Sequence, residues 1–138
     1  MKKLLLLVCL FATHGLAKEP ATAVTSELLA ETGRMWDGTD LPAYPTGRPK
    51  ISIVKFTIPP KAELPWHKHP SINAGYLIKG ELTVRMEDGK ELKLKAGDAI
   101  VELVDKWHAG RNEGTEPVEI VVFYAGTPGV PLAVKKQE

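Results

Sequence analysis

Cysteine is nearly absent: Cys9 is the only one in 138 residues. That excludes an intramolecular disulfide framework and a cysteine-rich zinc fold. An excess of either charge is absent too. With 18 Lys+Arg against 17 Asp+Glu, there is no electrostatic case for a nucleic-acid partner. No apolar run reaches the ~20 residues that a membrane span needs. Hydrophobic residues at 43% and charged residues at 25% are ordinary globular usage and speak against disorder throughout. The length gives room for one domain. Turn formers are what the chain has in quantity. Its 12 Gly and 11 Pro point to many turns and few long helices.

The first residues read as an address. Lys2 and Lys3 precede a short apolar run, Leu4–Ala12, and small residues follow at Gly15 and Ala17. A basic start, a short apolar stretch and a small-x-small end make a secretory signal peptide over residues 1–17, cleaved after Ala17. A periplasmic or secreted protein is therefore expected, with Lys18 as its first residue. Cys9 follows Val8 inside the apolar run, which argues against a lipid anchor. Cleavage removes that cysteine with Lys2 and Lys3, leaving a thiol-free chain of 16 Lys+Arg and 17 Asp+Glu. The absence of a twin-arginine pair favours export of an unfolded chain.

Residues 18–48 read as an N-terminal arm. Ser26–Thr32 is expected to form one or two helical turns, capped by Ser26 and stopped at Gly33. Trp36 and Tyr44 are expected to pack the arm onto the body. From residue 49 to 126 the pattern is β, and residues 127–138 read as a tail. Ile51–Ile58 is rich in β-branched residues and ends at Pro59-Pro60. Leu82, Val84 and Met86 alternate with polar residues, and so do Leu92 and Leu94 across the turn Asp88-Gly89. Ala99–Val104 and Val118–Tyr124 are further strands. The last is almost wholly apolar and is expected to be buried on both faces. Short strands separated by turns predict an all-β barrel or sandwich.

Beyond the leader there are three histidines, and two form the pair His67-x-His69. In a strand these would share one face, with Trp66 and Lys68 on the other. Two adjacent imidazoles repel if both are protonated, and a shared metal holds both neutral. Three residues separate the pair from Asn73, and six separate Asn73 from Gly80. Later, Gly97 is followed by ten residues, His108, three residues and Asn112. This spacing resembles the two motifs of the cupin family over roughly residues 50–126. The resemblance implies an all-β double-stranded β-helix, a small jelly-roll barrel, with His67, His69 and His108 as metal ligands. Asn73 stands where the family carries a glutamate ligand. Leu103 and Asp105 stand where it carries proline and glycine in a turn. Asn112 and Gly80 match structural positions.

Asn73 removes a negative charge from the metal shell. Three neutral imidazoles leave the full double charge of a divalent ion, which an anionic substrate could balance. Asn73 itself is a candidate oxygen ligand, a hydrogen-bond donor behind the ligands, or a substrate contact. The set resembles the three-histidine iron sites of thiol and diketone dioxygenases among cupins, and makes oxalate-type chemistry less favoured. Iron, zinc, copper, manganese and nickel all remain candidates. A dioxygenase-like enzyme on a small anionic or polar molecule is one reading. A non-catalytic metal- or small-molecule-binding or sensing module is the alternative, and a structural homodimer is a third. A homodimer is also what the resemblance implies. Glu63, Glu102, Asp105 and Tyr76 lie near the motifs and read as solvated or rim residues. Trp66 and Trp107, next to ligand histidines, read as packing or dimer-contact residues.

Overall fold

The computed structural model describes residues 23–137. The segment read as a signal peptide, residues 1–17, lies outside the described residues. Nine strands follow the chain: Lys50–Ile58 (β1), His67–Lys68 (β2), Ile72–Lys79 (β3), Glu81–Met86 (β4), Glu91–Lys95 (β5), Ala99–Val101 (β6), His108–Arg111 (β7), Val118–Gly126 (β8) and Val134–Lys135 (β9). They form two antiparallel sheets, ordered β1-β8-β3-β6 and β5-β4-β7-β2-β9. No helix is present among the described residues. The protein is all-β, as its pattern of short strands and turns predicts.

The period-2 alternation of apolar residues explains why the sheets close face to face. Leu82, Val84 and Leu94 point in from one sheet; Leu77, Ile100, Val118, Ile120, Val122 and Tyr124 point in from the other. β1 pairs with β8 without a break, from Lys50↔Gly126 to Ile58↔Val118. Gly80 makes the turn from β3 to β4 at φ +82°. A Cβ there would meet Val118 Cγ2 at 2.9 Å, so this close approach admits only glycine. Asn112, fully buried, braces the barrel end. Its amide Nδ2 lies within hydrogen-bond distance of the Ile58, Pro59 and Glu116 carbonyls, and its Oδ1 accepts from Gly114 N at 3.0 Å.

Four expectations need correction. β8 is buried on one face only: Phe123 is 48% exposed, and its neighbours on β1, Ile51 and Ile53, are exposed as well. No layer among the described residues covers the outside of that sheet. The strand expected over Ala99–Val104 ends at Val101, because the chain turns there to bring Val104 beside His69. Ser26–Thr32 carries no helix. Leu28 and Leu29 stay exposed, and a helix this short has little stability without a packed face. Tyr44 is exposed and does not anchor the arm.

Trp36 does anchor it. Its backbone N–H donates to Val101 O of edge strand β6 at 2.9 Å, and its side chain packs against both apolar clusters. Buried Met35 joins Leu103 and Val104 beneath it. The arm thereby blunts an open sheet edge. Asp37 ties down the same turn, accepting from Lys106 Nζ and from Thr39 N–H. Burial alone would raise the Asp37 carboxyl, but the Lys106 and Thr39 bonds bring it down to about 2. A folded value below the unfolded one means the bond stabilises docking above about pH 4 and loses that effect as pH falls through about 2. The Trp36 indole resonance should therefore keep its docked position at pH 4 and move toward the free position near pH 2. In Asp37→Asn this acid step should vanish.

Candidate metal centre

The three histidines arrive from different places in the chain. His67 opens β2, His108 opens β7, and the two are direct partners across the ladder. His69 follows β2 and bridges Val104. This bridge is held by a turn in which Asp105 N–H donates to His69 O at 2.9 Å. Asp105 has φ 55°, the left-handed conformation that a glycine would take most easily. The Gly-to-Asp departure from the motif thus leaves the turn in its shape. The ring centroids lie 4.9 Å (67–69), 4.4 Å (67–108) and 5.0 Å (69–108) apart.

The hydrogen bonds set which ring nitrogens carry the protons. Each Nδ1–H donates to a main-chain carbonyl: His67 to Pro65 O at 2.8 Å, His69 to Leu132 O at 2.8 Å, His108 to Lys106 O at 2.9 Å. A carbonyl only accepts, so Nδ1 carries the proton in all three rings. Every Nε2 is left with a free lone pair. One ring nitrogen from each residue falls within 4.8 Å of the others. Burial pushes His69 and His108 down to about 4 and lowers His67, so the rings stay neutral near pH 7. His108 Nε2 is buried and has no hydrogen-bond partner. Three neutral imidazoles, oriented from behind with lone pairs free, fit a divalent transition metal.

The matching family model is that of the cupin domain, over residues 54–124. The chain belongs to the cupin superfamily. A solved double-stranded β-helix domain protein from Klebsiella pneumoniae is 28% identical, with TM-score 0.53, over 66% of this chain and 89% of that one. An oxalate oxidase solved with the substrate analogue glycolate is 25% identical, with TM-score 0.50, over 59% of this chain and 45% of that one. The DMSP lyase DddQ from Ruegeria pomeroyi shares the fold at 22% identity and TM-score 0.55, over 62% of this chain and 43% of that one. No curated protein sequence matches.

In this cupin the histidines open onto a cavity of about 170 Å³ between the sheets. Its walls are mainly apolar, with Phe56, Leu64, Leu82, Val84, Ile120 and Val122 among them. Tyr124 also lines it, with its ring 5.6 Å from that of His69. Burial, and then the neighbouring Glu102, push the Tyr124 phenol up to about 12, so it remains a hydrogen-bond donor. Asn73 is buried on β3, but does not line the cavity. Its Nδ2 donates to Ser71 O at 3.0 Å, and its Oδ1 has no partner.

Of the four residues read as solvated or rim groups, three are on the surface. Glu63 pairs with Arg85, Asp105 with Lys68, and Tyr76 is exposed. Glu102 is the correction. It is buried and lines the cavity, and burial raises its carboxyl to about 7 against a smaller opposing pull from the Leu103 N–H. Alternation beyond β6 could not place it, because the strand stops one residue earlier. Trp66 and Trp107 do not line the cavity. They carry the Arg85 and Lys68 cations over their rings at 5.3 and 5.5 Å.

The tail read as residues 127–138 also belongs to the site. β9 pairs with β2 through His67↔Lys135, and the Leu132 carbonyl just before it orients His69. No local pattern marks a carbonyl that acts 63 residues away. A chain ending at Val130 lacks that carbonyl and β9. Its metal affinity, measured by competition with a chromophoric chelator, should fall about 10- to 100-fold while the barrel keeps its near-ultraviolet circular dichroism. An unchanged affinity would show that the tail does not orient the site.

Proposed function

We propose that this cupin is an exported, metal-dependent enzyme acting on a small molecule in its barrel cavity, with dioxygenase-like chemistry. The observation that carries the reading is the set of three Nδ1–H bonds that leaves three Nε2 lone pairs free at the wall of a cavity. His67, His69 and His108 would hold a divalent ion, and that ion would supply Lewis acidity and redox chemistry at the cavity wall.

The chain's own residues do the rest. The imidazoles stay neutral and hold the ion; the apolar walls exclude water and accept an apolar substrate body. The Tyr124 hydroxyl can donate a hydrogen bond to a bound oxygen. Lys135, which reaches the cavity from β9, adds a positive charge suited to a small carboxylate or enolate. The 25%-identical oxalate oxidase, solved with the carboxylate glycolate, supports a small oxygen-rich anion as the substrate class. In a dioxygenase reaction both atoms of dioxygen enter the product, so no external reductant is required.

The alternative is a non-catalytic binding or sensing module. The scarcity of polar groups on the cavity wall, apart from the histidines, Glu102, Tyr124 and Lys135, favours it. The exposed apolar face formed by Ile51, Ile53 and Phe123 supports a homodimer under either reading. Export rests on the pattern of Lys2, Lys3 and Leu4–Ala12. It predicts Lys18 as the N-terminal residue of protein recovered from the periplasm.

Protein isolated without an affinity tag should contain about one transition-metal ion per chain. His67→Ala and His69→Ala should each lose most of it, as read by elemental analysis. Oxygen uptake should follow addition of a thiol, diketone or phenolic acid to the metal-loaded protein. Full occupancy in the alanine variants would refute the ligand set. A loaded protein inert across the panel would favour the binding module.

A further inference from the structure

Glu102 is a carboxyl group in a mainly apolar cavity with no hydrogen-bond partner for Oε2 among the described residues. Its residue is 8% exposed. Oε2 lies 3.7 Å from His108 Nε2, which is also buried and without a hydrogen bond. These two atoms face each other, but they do not form a hydrogen bond. His108 Nδ1 already carries the ring proton for Lys106 O, so Nε2 presents a lone pair to an oxygen that presents lone pairs as well. The separation is beyond hydrogen-bond range. It is close to the distance between two donor atoms that share one metal ion, about 3.0–3.4 Å for bonds of about 2.1 Å. With Glu102 ionised, a cation shared by the two atoms resolves the opposition of lone pairs.

The register explains where this carboxylate comes from. β3 pairs with β6 at Ala74↔Val101, and Glu102 N–H donates to Asn73 O at 3.0 Å. Glu102 therefore sits across the ladder from Asn73, the position where the cupin motif carries glutamate. Both residues are buried, and opposed side chains of a ladder are close neighbours. The Asn73 amide nitrogen is turned to Ser71 O, and its Oδ1, like Glu102 Oε2, has no hydrogen-bond partner among the described residues but does not line the cavity. Charge points the same way. Three neutral imidazoles leave a divalent ion uncompensated in an apolar barrel, which is costly. A carboxylate halves that charge and still leaves the site positive toward an anionic substrate.

We propose that Glu102 is the oxygen ligand of the metal centre, supplying from the neighbouring strand the carboxylate that position 73 lacks. The inference rests on the metal-binding reading of the three histidines. Asn73 is then a structural residue that holds the turn at Ser71. The site becomes a three-histidine, one-glutamate centre with its glutamate drawn from the second motif instead of the first.

Cobalt(II) binding to the metal-stripped full-length protein tests this, read by chelator competition and by the cobalt d–d spectrum. Wild type, Glu102→Gln, Glu102→Asp, Asn73→Ala and His67→Ala are compared. Glu102→Gln should weaken cobalt binding at least about 100-fold and change the d–d bands. Glu102→Asp should fall between it and wild type. Asn73→Ala should stay within about threefold of wild type, with an unchanged spectrum. Metal-free Glu102→Gln should melt at the wild-type temperature or above, since the amide oxygen can keep the Leu103 N–H bond and the variant avoids burying a carboxylate. That result separates a lost ligand from a lost fold. Wild-type affinity and spectrum in Glu102→Gln would overturn the proposal, and loss of binding in Asn73→Ala alone would return the oxygen ligand to position 73. Absence of stoichiometric cobalt in wild type and His67→Ala alike would overturn the three-histidine reading itself.

Discussion

Three main-chain carbonyls accept a proton from three imidazoles, and the rest of the site depends on that arrangement. Pro65, Lys106 and Leu132 fix the tautomer of His67, His108 and His69. Two of these bonds are local, reaching back two residues from the ring they hold. The third crosses from the tail. Because the acceptors are backbone atoms, their positions are set by strand pairing. The ladder contacts His67↔His108 and His67↔Lys135 therefore position ligands as well as stabilise sheets. A barrel with slipped register would retain its apolar core and lose the convergence of lone pairs.

Burying three rings and a carboxyl inside apolar walls has a cost in the metal-free protein. Neutral imidazoles keep it moderate, but His108 Nε2 and Glu102 Oε2 remain without partners. Natural interiors seldom tolerate such atoms unless function requires them. These two atoms lie where the chain gathers its three imidazoles. The surrounding structure supports this local cost. Leu77, Val118 and Leu103 are fully buried, Asn112 braces one end of the barrel, and the Trp36 arm closes the edge of β6. A metal bound by these groups would complete the interior of the protein.

Much of the barrel was legible in the sequence because alternation and turn residues act locally. β1, β4, β5 and β8 follow from their own residues, and the hairpin follows from Asp88-Gly89. The histidine cluster was legible through its spacing, since every histidine after residue 17 falls on a motif position. Illegible features were those created by pairing over long distances. Leu132 carries no mark of its role, because its contribution is a carbonyl. Glu102 lies just past the end of β6, where period-2 reasoning no longer says which way a side chain points. The outward face of β8 is as apolar as its inner face, so composition alone could not separate them. Ser26–Thr32 has helix-forming residues, but nothing to pack against.

The central claim is that His67, His69 and His108 bind one ion through their Nε2 atoms. Anomalous diffraction from crystals of metal-loaded protein, recorded on both sides of the metal's absorption edge, tests it most directly. One anomalous peak per chain is expected, within bonding distance of all three Nε2 atoms. A peak elsewhere, bonding through Nδ1, or no peak from fully loaded protein would contradict it.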